Sequence, residues 1–384
     1  MTDDLSLYIH IPFCRTRCFY CDFNTFAGKE RLIPDYIRAV CDEIRRQKPF
    51  DNPPVHSIYF GGGTPSRLSI MDVSGLMDTV RETFIVRPDA EITFECNPCD
   101  VTPEYAEGLA ALGINRISLG MQSAVPEELR CMGRRHTAGQ TEEAVRILQK
   151  AGIANISVDL IYGYPEQTPE NWLLSIKTAV SLDVRHISLY ALSVEEGSAL
   201  RRQLESGRLT LPDEDMTVGM YETAAAYLAE KGFRHYEISN WAADEAHESR
   251  HNKQYWFVGP YFGFGAGAHG WIDQQRIMNE SKIENYIRKM SVLDGRFPAA
   301  SEIIPQNRRT EMQDVMMLGL RLLEEGITEE RFWNRFSEEM RTVFRRELRH
   351  LEQKHLVRWM DGTRLLLAPD KVMTANQAFI EFVD

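Results

Sequence analysis

Three cysteines lie close together near the start of the chain: Cys14, Cys18 and Cys21, within Tyr8 to Phe23, YIHIPFCRTRCFYCDF. Their spacing is C-x3-C-x2-C, and no fourth cysteine follows closely. Soft thiolates so spaced suit an iron–sulfur cluster. A cubane of four irons normally takes four thiolates. Three leave one iron open, and an open iron can bind a substrate. A structural zinc ion wants four closed ligands. The next thiol, Cys41, falls on the apolar face of a helix that the pattern predicts, and reads as core. The remaining cysteines are scattered, which disfavours a disulfide framework.

Other residues that could do chemistry stand at the ends of expected strands. Gly61-Gly62-Gly63-Thr64-Pro65 closes one of them. Its glycines let backbone approach a ligand and turn amides toward it; taken alone, a tight turn explains the stretch equally well. Glu95 in FECNP, Gln122 in SLGMQS, Arg134 in MGRRH and Asp159 in DLIYGYP are polar or charged. Each alone could be a satisfied polar residue at a strand end. His251 opens HNKQYW, and six of the ten residues Tyr255 to Phe264 are aromatic. Such a surface with an imidazole donor suits heme. An aromatic loop packed on a barrel, with His251 hydrogen-bonded, is the plainer reading of those residues. His269, in GAGAH, is a second ligand candidate.

The cysteine motif resembles the signature of the radical S-adenosylmethionine (SAM) superfamily. The surrounding YIHIPFC…CFYCDFNT resembles the branch holding oxygen-independent coproporphyrinogen III dehydrogenases and HemW-type heme chaperones. The resemblance implies a [4Fe–4S] cluster on Cys14, Cys18 and Cys21 whose open iron is chelated by SAM. It implies SAM contacts from Tyr8, Gly62 and Glu95. It aligns Tyr20, Gly63, Thr64, Gln122, Arg134 and Asp159 with positions lining a second SAM-sized pocket in the dehydrogenases. HNKQYW matches the HNxxYW motif that marks the chaperones, with His251 as heme donor. The implied partners are heme, heme-accepting hemoproteins, an electron donor such as a flavodoxin and a second copy of the chain.

Two features separate the branch's two functions. The dehydrogenases resemble C-x3-C-x2-C-x-C, whereas here Phe23 takes the fourth position. They also carry a long N-terminal extension, whereas here Cys14 follows almost directly on the start. Both favour a heme chaperone without assigned catalytic residues. The alternative is a coproporphyrinogen III dehydrogenase, in which a deoxyadenosyl radical starts oxidative decarboxylation of propionates.

The elements that must position these residues alternate strand and helix. Leu5, Leu7, Ile9 and Ile11 alternate with polar partners, as in a strand. Strands are also expected at Val55 to Phe60, Glu91 to Glu95, Ile114 to Leu119, Ile156 to Ile161 and His186 to Tyr190, with amphipathic helices between. Repeated β–α units imply a parallel sheet with right-handed crossovers. Six of them make a partial (βα)6 TIM-like barrel, the α/β fold the resemblance also implies. Residues 1–240 are assigned to that barrel and 241–305 to an aromatic, glycine-rich connecting segment. Residues 306–384, with three helices and a hairpin around Asp361-Gly362, are assigned to a winged-helix-like domain. Arg341, Arg345, Arg346 and Arg349 interleave with glutamates and read as a solvated mixed-charge face.

The 384 residues are 43% hydrophobic and 26% charged, ordinary values for a globular protein. A net charge of -12 argues against a general nucleic-acid binder. No apolar run is long enough to cross a bilayer. MTDDLSLYIH is neither signal nor transit peptide, and the scattered thiols point to a reducing cytoplasm.

Overall fold

A computed structural model describes residues 4–48, 52–292 and 295–383. Residues 1–3, on which part of the short N-terminus expectation rests, lie outside the described residues.

Six parallel strands form the heart of the molecule: β1 (Leu5–Ile11), β2 (Val55–Gly62), β3 (Val86–Cys96), β4 (Arg116–Gln122), β5 (Asn155–Tyr162) and β6 (His186–Ala191). Their alternation builds two faces. Leu5, Leu7, Ile9 and Ile11 are completely buried in the main core, with Ile58, Phe60, Phe94, Ile117 and Val158. The intervening residues are polar and meet on the inner face. Ser6 bonds Ser57, Tyr59 bonds Glu95, Ser118 bonds Asp159 and Ser157 bonds His186. A parallel sheet covered by helices is usually apolar on both sides. A polar inner face therefore marks where a ligand belongs.

Helices cover the outer face: α1 (Ile33–Arg46), α2 (Ile70–Thr83), α3 (Pro103–Ala111), α4 (Ala138–Lys150), α5 (Pro169–Ser181) and α6 (Glu214–Glu230). Their starts follow capping chemistry. Ser69 with Asp72, and Thr137 with Gln140, form reciprocal capping boxes. On α1, Tyr36, Ile37, Val40, Cys41 and Ile44 are buried, so Cys41 sits in the core as expected.

The stretch after β6 departs from a plain connector. Beyond β6, β7 (Arg234–Glu237) and β8 (Asn240–Ala242) extend that edge antiparallel. HNKQYW is helix α7 (Arg250–Trp256), not loop. At the other edge β9 (Tyr261–Phe264) pairs parallel with β1, followed by antiparallel β10 (His269–Ile272), β11 (Gln275–Asn279) and β12 (Ala300–Pro305). Among the described residues the resulting sheet has twelve strands, ordered β12-β11-β10-β9-β1-β2-β3-β4-β5-β6-β8-β7. Local apolar pattern could not reveal β10 to β12, whose pairing partners are set by their neighbours. Helix α8 (Ile283–Val292) lies between β11 and β12 in the chain.

The C-terminal region begins with α9 (Arg308–Gly319) and continues through β13 (Ile327–Thr328) and α10 (Glu329–Phe336). The last of the three expected helices is broken at Phe344 into Met340–Val343 and α11 (Arg345–Gln353). The hairpin β14 (Val357–Met360) and β15 (Arg364–Leu367) follows, and β15 pairs with β13 as well. Asp361 and Gly362 both take positive φ, 51° and 69°, as a tight Asp-Gly turn requires. Arg341 stacks on Trp359 and pairs with Glu329, so its charge is spent locally.

Candidate functional site

The cluster loop leaves β1 at Pro12 and is closed at its base. Phe13–Cys14 and Phe26–Ala27 pair as two short parallel strands. Backbone from the GGGT turn holds the same base: Gly63 N donates to Ile11 O at 2.9 Å and Thr64 N to Phe13 O at 3.0 Å. This closeness explains Gly63. A Cβ there would stand 2.7 Å from the Ile11 carbonyl oxygen and 2.9 Å from the Pro12 carbonyl carbon. Gly62, at φ +109°, would meet the His10 ring at 2.3 Å.

Cys14, Cys18 and Cys21 are free thiols lining a cavity of about 390 Å³ over the carboxyl ends of the six strands. Among the described residues no three His, Cys, Asp or Glu side chains are arranged to hold a single metal ion. In a cubane each thiolate holds a different iron, so its ligands stand around the cluster. The surroundings fit such a ligand set. Hydroxyls of Thr64 and Thr25 lie 3.4 Å from Cys14 Sγ and 3.9 Å from Cys21 Sγ. Arg134 Nη1 donates to Cys18 Sγ at 3.5 Å. Burial and the neighbouring thiols raise the Cys14 pKa, despite the Thr64 hydroxyl. Bound iron would reverse that penalty, since a coordinating thiol is deprotonated outright.

The same cavity gathers most of the residues singled out in the sequence: Tyr20, Gly62, Gly63, Thr64, Glu95, Gln122, Arg134 and Asp159. Glu95 accepts from Tyr59 OH at 2.8 Å and from Gly62 N at 3.2 Å. Burial, with Asp159 adding to it, pushes the Glu95 pKa up to about 7. Asp159 accepts from Ser118 Oγ at 2.8 Å and is also raised by burial. Gln122 takes φ +65°, an uncommon turn that ends β4 at the cavity wall. Burial opposes the Arg134 cation, but Tyr20 and Cys18 beside it raise its pKa overall. Arg134 also donates to Gly120 O at 2.7 Å, while its buried Nε has no partner. That orphan donor on the cavity wall suits a ligand acceptor.

Tyr8 and His251 lie elsewhere. Tyr8 lines a second cavity, of about 370 Å³, which shares Gly62, Glu95 and Phe23 with the first. Its hydroxyl bonds His10 Nδ1 at 3.0 Å. His251 lines neither cavity and is 1% exposed. Its Nδ1 bonds Ser57 Oγ at 3.0 Å and its Nε2 bonds Tyr255 OH at 2.8 Å. Burial lowers its pKa to about 3. The backbone amides of Arg250 and His251 donate to Glu91, each at 3.1 Å. Thus α7 closes one end of the barrel's inner face, with no nitrogen of His251 left free.

Tyr59, Ser118 and Tyr190 also line the main cavity and were not singled out from sequence. Their signal was present: each belongs to the polar register of a strand whose alternate residues are apolar. Phe23, two residues beyond Cys21, is 63% exposed at the junction of the two cavities.

A family model described as the Radical SAM superfamily matches residues 8–179. The chain is 40% identical over 285 residues to "Heme chaperone HemW" of Mycobacterium tuberculosis (strain ATCC 25618 / H37Rv), spanning 73% of each protein. It is 33% identical over 380 residues to "Heme chaperone HemW" of Bacillus subtilis (strain 168), spanning 98% of this chain and 99% of that protein. Among solved structures it superposes on coproporphyrinogen III oxidase (HemN) from Escherichia coli, a radical SAM enzyme, with a TM-score of 0.85 at 22% identity. That match covers 99% of this chain and 90% of the other, and it establishes the fold as the TIM-like radical SAM type.

Proposed function

Since this chain belongs to the radical SAM superfamily, and within it to the HemW-type family, we propose that it is a heme chaperone that carries a [4Fe–4S] cluster and SAM and passes heme to hemoproteins. The observation that carries the reading is similarity to curated heme chaperones along almost the whole chain. Phe23 at the position of the dehydrogenases' fourth cysteine supports it further.

Cys14, Cys18 and Cys21 would hold the cluster, with Thr64, Thr25 and Arg134 donating toward the sulfurs. When bound, the cluster would supply an open iron for SAM and an electron for its sulfonium. Tyr8, Gly62 and Glu95 are the proposed contacts to that SAM. The Glu95 carboxylate is held by Tyr59 and Gly62, ready to accept ribose hydroxyls. Tyr20, Gly63, Thr64, Gln122, Arg134 and Asp159 form the remainder of the polar wall. We assign residues 1–240 to the SAM barrel, 241–305 to the α7 plug and the added sheet edge, and 306–384 to a winged-helix-like unit. Among the described residues no helix is long and apolar enough to cross a membrane. The chaperone is proposed to work in the cytoplasm, with a flavodoxin-type electron donor and as a homodimer.

The test is anaerobic reconstitution of the full chain, followed by heme titration and a coproporphyrinogen III decarboxylation assay in parallel. Stoichiometric heme uptake without protoporphyrinogen IX is the expected result. Multiple-turnover formation of protoporphyrinogen IX would overturn the proposal in favour of the dehydrogenase.

A further inference from the structure

We propose that Asn24 is a positioning residue that latches the cluster loop to the added sheet edge, so that the turn at 265–267 holds Cys21 and Tyr8 in place for the cluster and SAM. The inference deepens the cluster-and-SAM reading and rests on it.

The cluster loop has three ties. Its base is closed by the pairing of Phe13–Cys14 with Phe26–Ala27, and its barrel side by the GGGT turn. The third is at its exit. Asn24, three residues beyond Cys21, commits both amide protons to distant backbone. Its Nδ2 donates to Ala266 O and to Ser281 O, each at 2.9 Å, 242 and 257 positions away. Gly267, at φ +77°, leaves room for that amide, since a Cβ there would stand 2.3 Å from Asn24 Nδ2. The accepting turn is itself fixed. Gly265 N donates to Glu43 at 2.8 Å, and Tyr286 and Asn279 donate to the same fully buried carboxylate. Ala266 N donates to the Tyr36 hydroxyl, which donates in turn to His10 O. Strands β9 to β11 and the start of α8 therefore belong to the frame of the cluster loop, and Asn24 is where the loop is fastened to it.

Asn24 stands between two functional groups. On one side Thr25, 5% exposed, puts its hydroxyl 3.9 Å from Cys21 Sγ. On the other, the Asn24 carbonyl accepts from His10 Nε2 at 2.9 Å. Burial lowers the His10 pKa, so the ring is neutral and its Nδ1 is left to accept from Tyr8 OH at 3.0 Å. The Tyr8 hydroxyl proton is thereby engaged, and toward SAM that oxygen presents only an acceptor. The Lys29–Glu284 pair also ties the loop's exit to α8, but it is half-exposed, and such pairs hold little.

The test compares cluster-free and anaerobically reconstituted full-length protein. In the cluster-free protein, Asn24→Ala should speed tryptic cleavage after the exposed Arg15 or Arg17 roughly tenfold, because local opening becomes easier when two hydrogen bonds are lost. After reconstitution it should take up iron but release it to a ferrous chelator faster by a similar factor. The change that SAM induces in the electron paramagnetic resonance spectrum of the reduced cluster should shrink. Gly267→Ala displaces the Asn24 amide without altering the loop, and should reproduce all three effects. Wild-type cleavage and chelation rates in Asn24→Ala overturn the latch. So does a change in those rates that only follows a global fall in the urea midpoint. An equal effect of Lys29→Ala overturns it too, by assigning the tie to the ion pair. Failure of the wild type to take up iron overturns the cluster reading, while cleavage of the cluster-free protein still decides the latch.

Discussion

Glu95 carries two opposed demands on one carboxyl group. Its ordinary pKa of 4.5 rises to about 7 in the folded chain, mainly because it is buried. The folded state therefore holds a proton that the unfolded chain releases between those values. The stability linked to this group is present below about 4.5 and is lost as pH rises through about 7. Glu95→Gln should flatten that decline, which thermal melts of the unliganded protein between those pH values would measure. Glu95→Ala should weaken SAM binding while the cluster remains. Hydrogen bonds to a charged group are worth about 1.5–3 kcal/mol, or roughly 10- to 150-fold in affinity. Unchanged affinity by calorimetry would remove Glu95 from the SAM site. At the same scale, Cys14→Ala should abolish the brown chromophore, because two thiolates do not retain a cubane. Loss of colour in Cys41→Ala or Cys131→Ala would refute this ligand set.

At the scale of elements, the GGGT turn and the cluster loop are one construction. Strand β2 ends where its amides reach the loop's carbonyls, and only a residue without Cβ fits between. Gly63→Ala should push the Phe13–Cys14 strand outward. Overpacking of this kind costs about 1–3 kcal/mol. We expect lower iron content after reconstitution and a lower urea midpoint; full iron loading with unchanged stability would show that the loop adjusts freely. Helix α7 is a comparable device at the other end of the inner face. Its first amides are capped by Glu91 of β3, and its histidine bonds Ser57 of β2.

At the scale of the molecule, the C-terminal region is tied to the end of α7. Arg335 of α10 donates to the carbonyls of Phe257 and Val258. It also pairs with Glu311 of α9 at 2.6 Å, the two side chains being 11% and 13% exposed. Removing one partner of a buried pair strands the other charge, at a cost of about 3–5 kcal/mol. Arg335→Ala should lower the unfolding free energy by about that amount, read by denaturant titration with tryptophan fluorescence. A change below ~0.5 kcal/mol would mean that solvent screens the pair in solution. Trp256, at the end of α7, lies under the Arg321 guanidinium at 4.2 Å and would report the loosening.

Much of this was legible from residues near one another in the chain. C-x3-C-x2-C needs only a short loop to bring its thiols together, so spacing sufficed. The six barrel strands announce themselves through apolar alternation, and their polar ends carry Glu95, Gln122 and Asp159 to one cavity, which Arg134 reaches from the loop that precedes α4. His251 lay beyond that kind of reading. Its ring is bonded by Ser57, 194 positions away, and its amide by Glu91, 160 positions away. Neither partner leaves a mark on HNKQYW itself. The same holds for the strands β10 to β12, which exist because β9 adds to the free side of β1. Sequence determines which side chains can do chemistry and on which face of a strand they stand. Only the tertiary structure decides which of them keep a free atom, because long-range packing allots the partners.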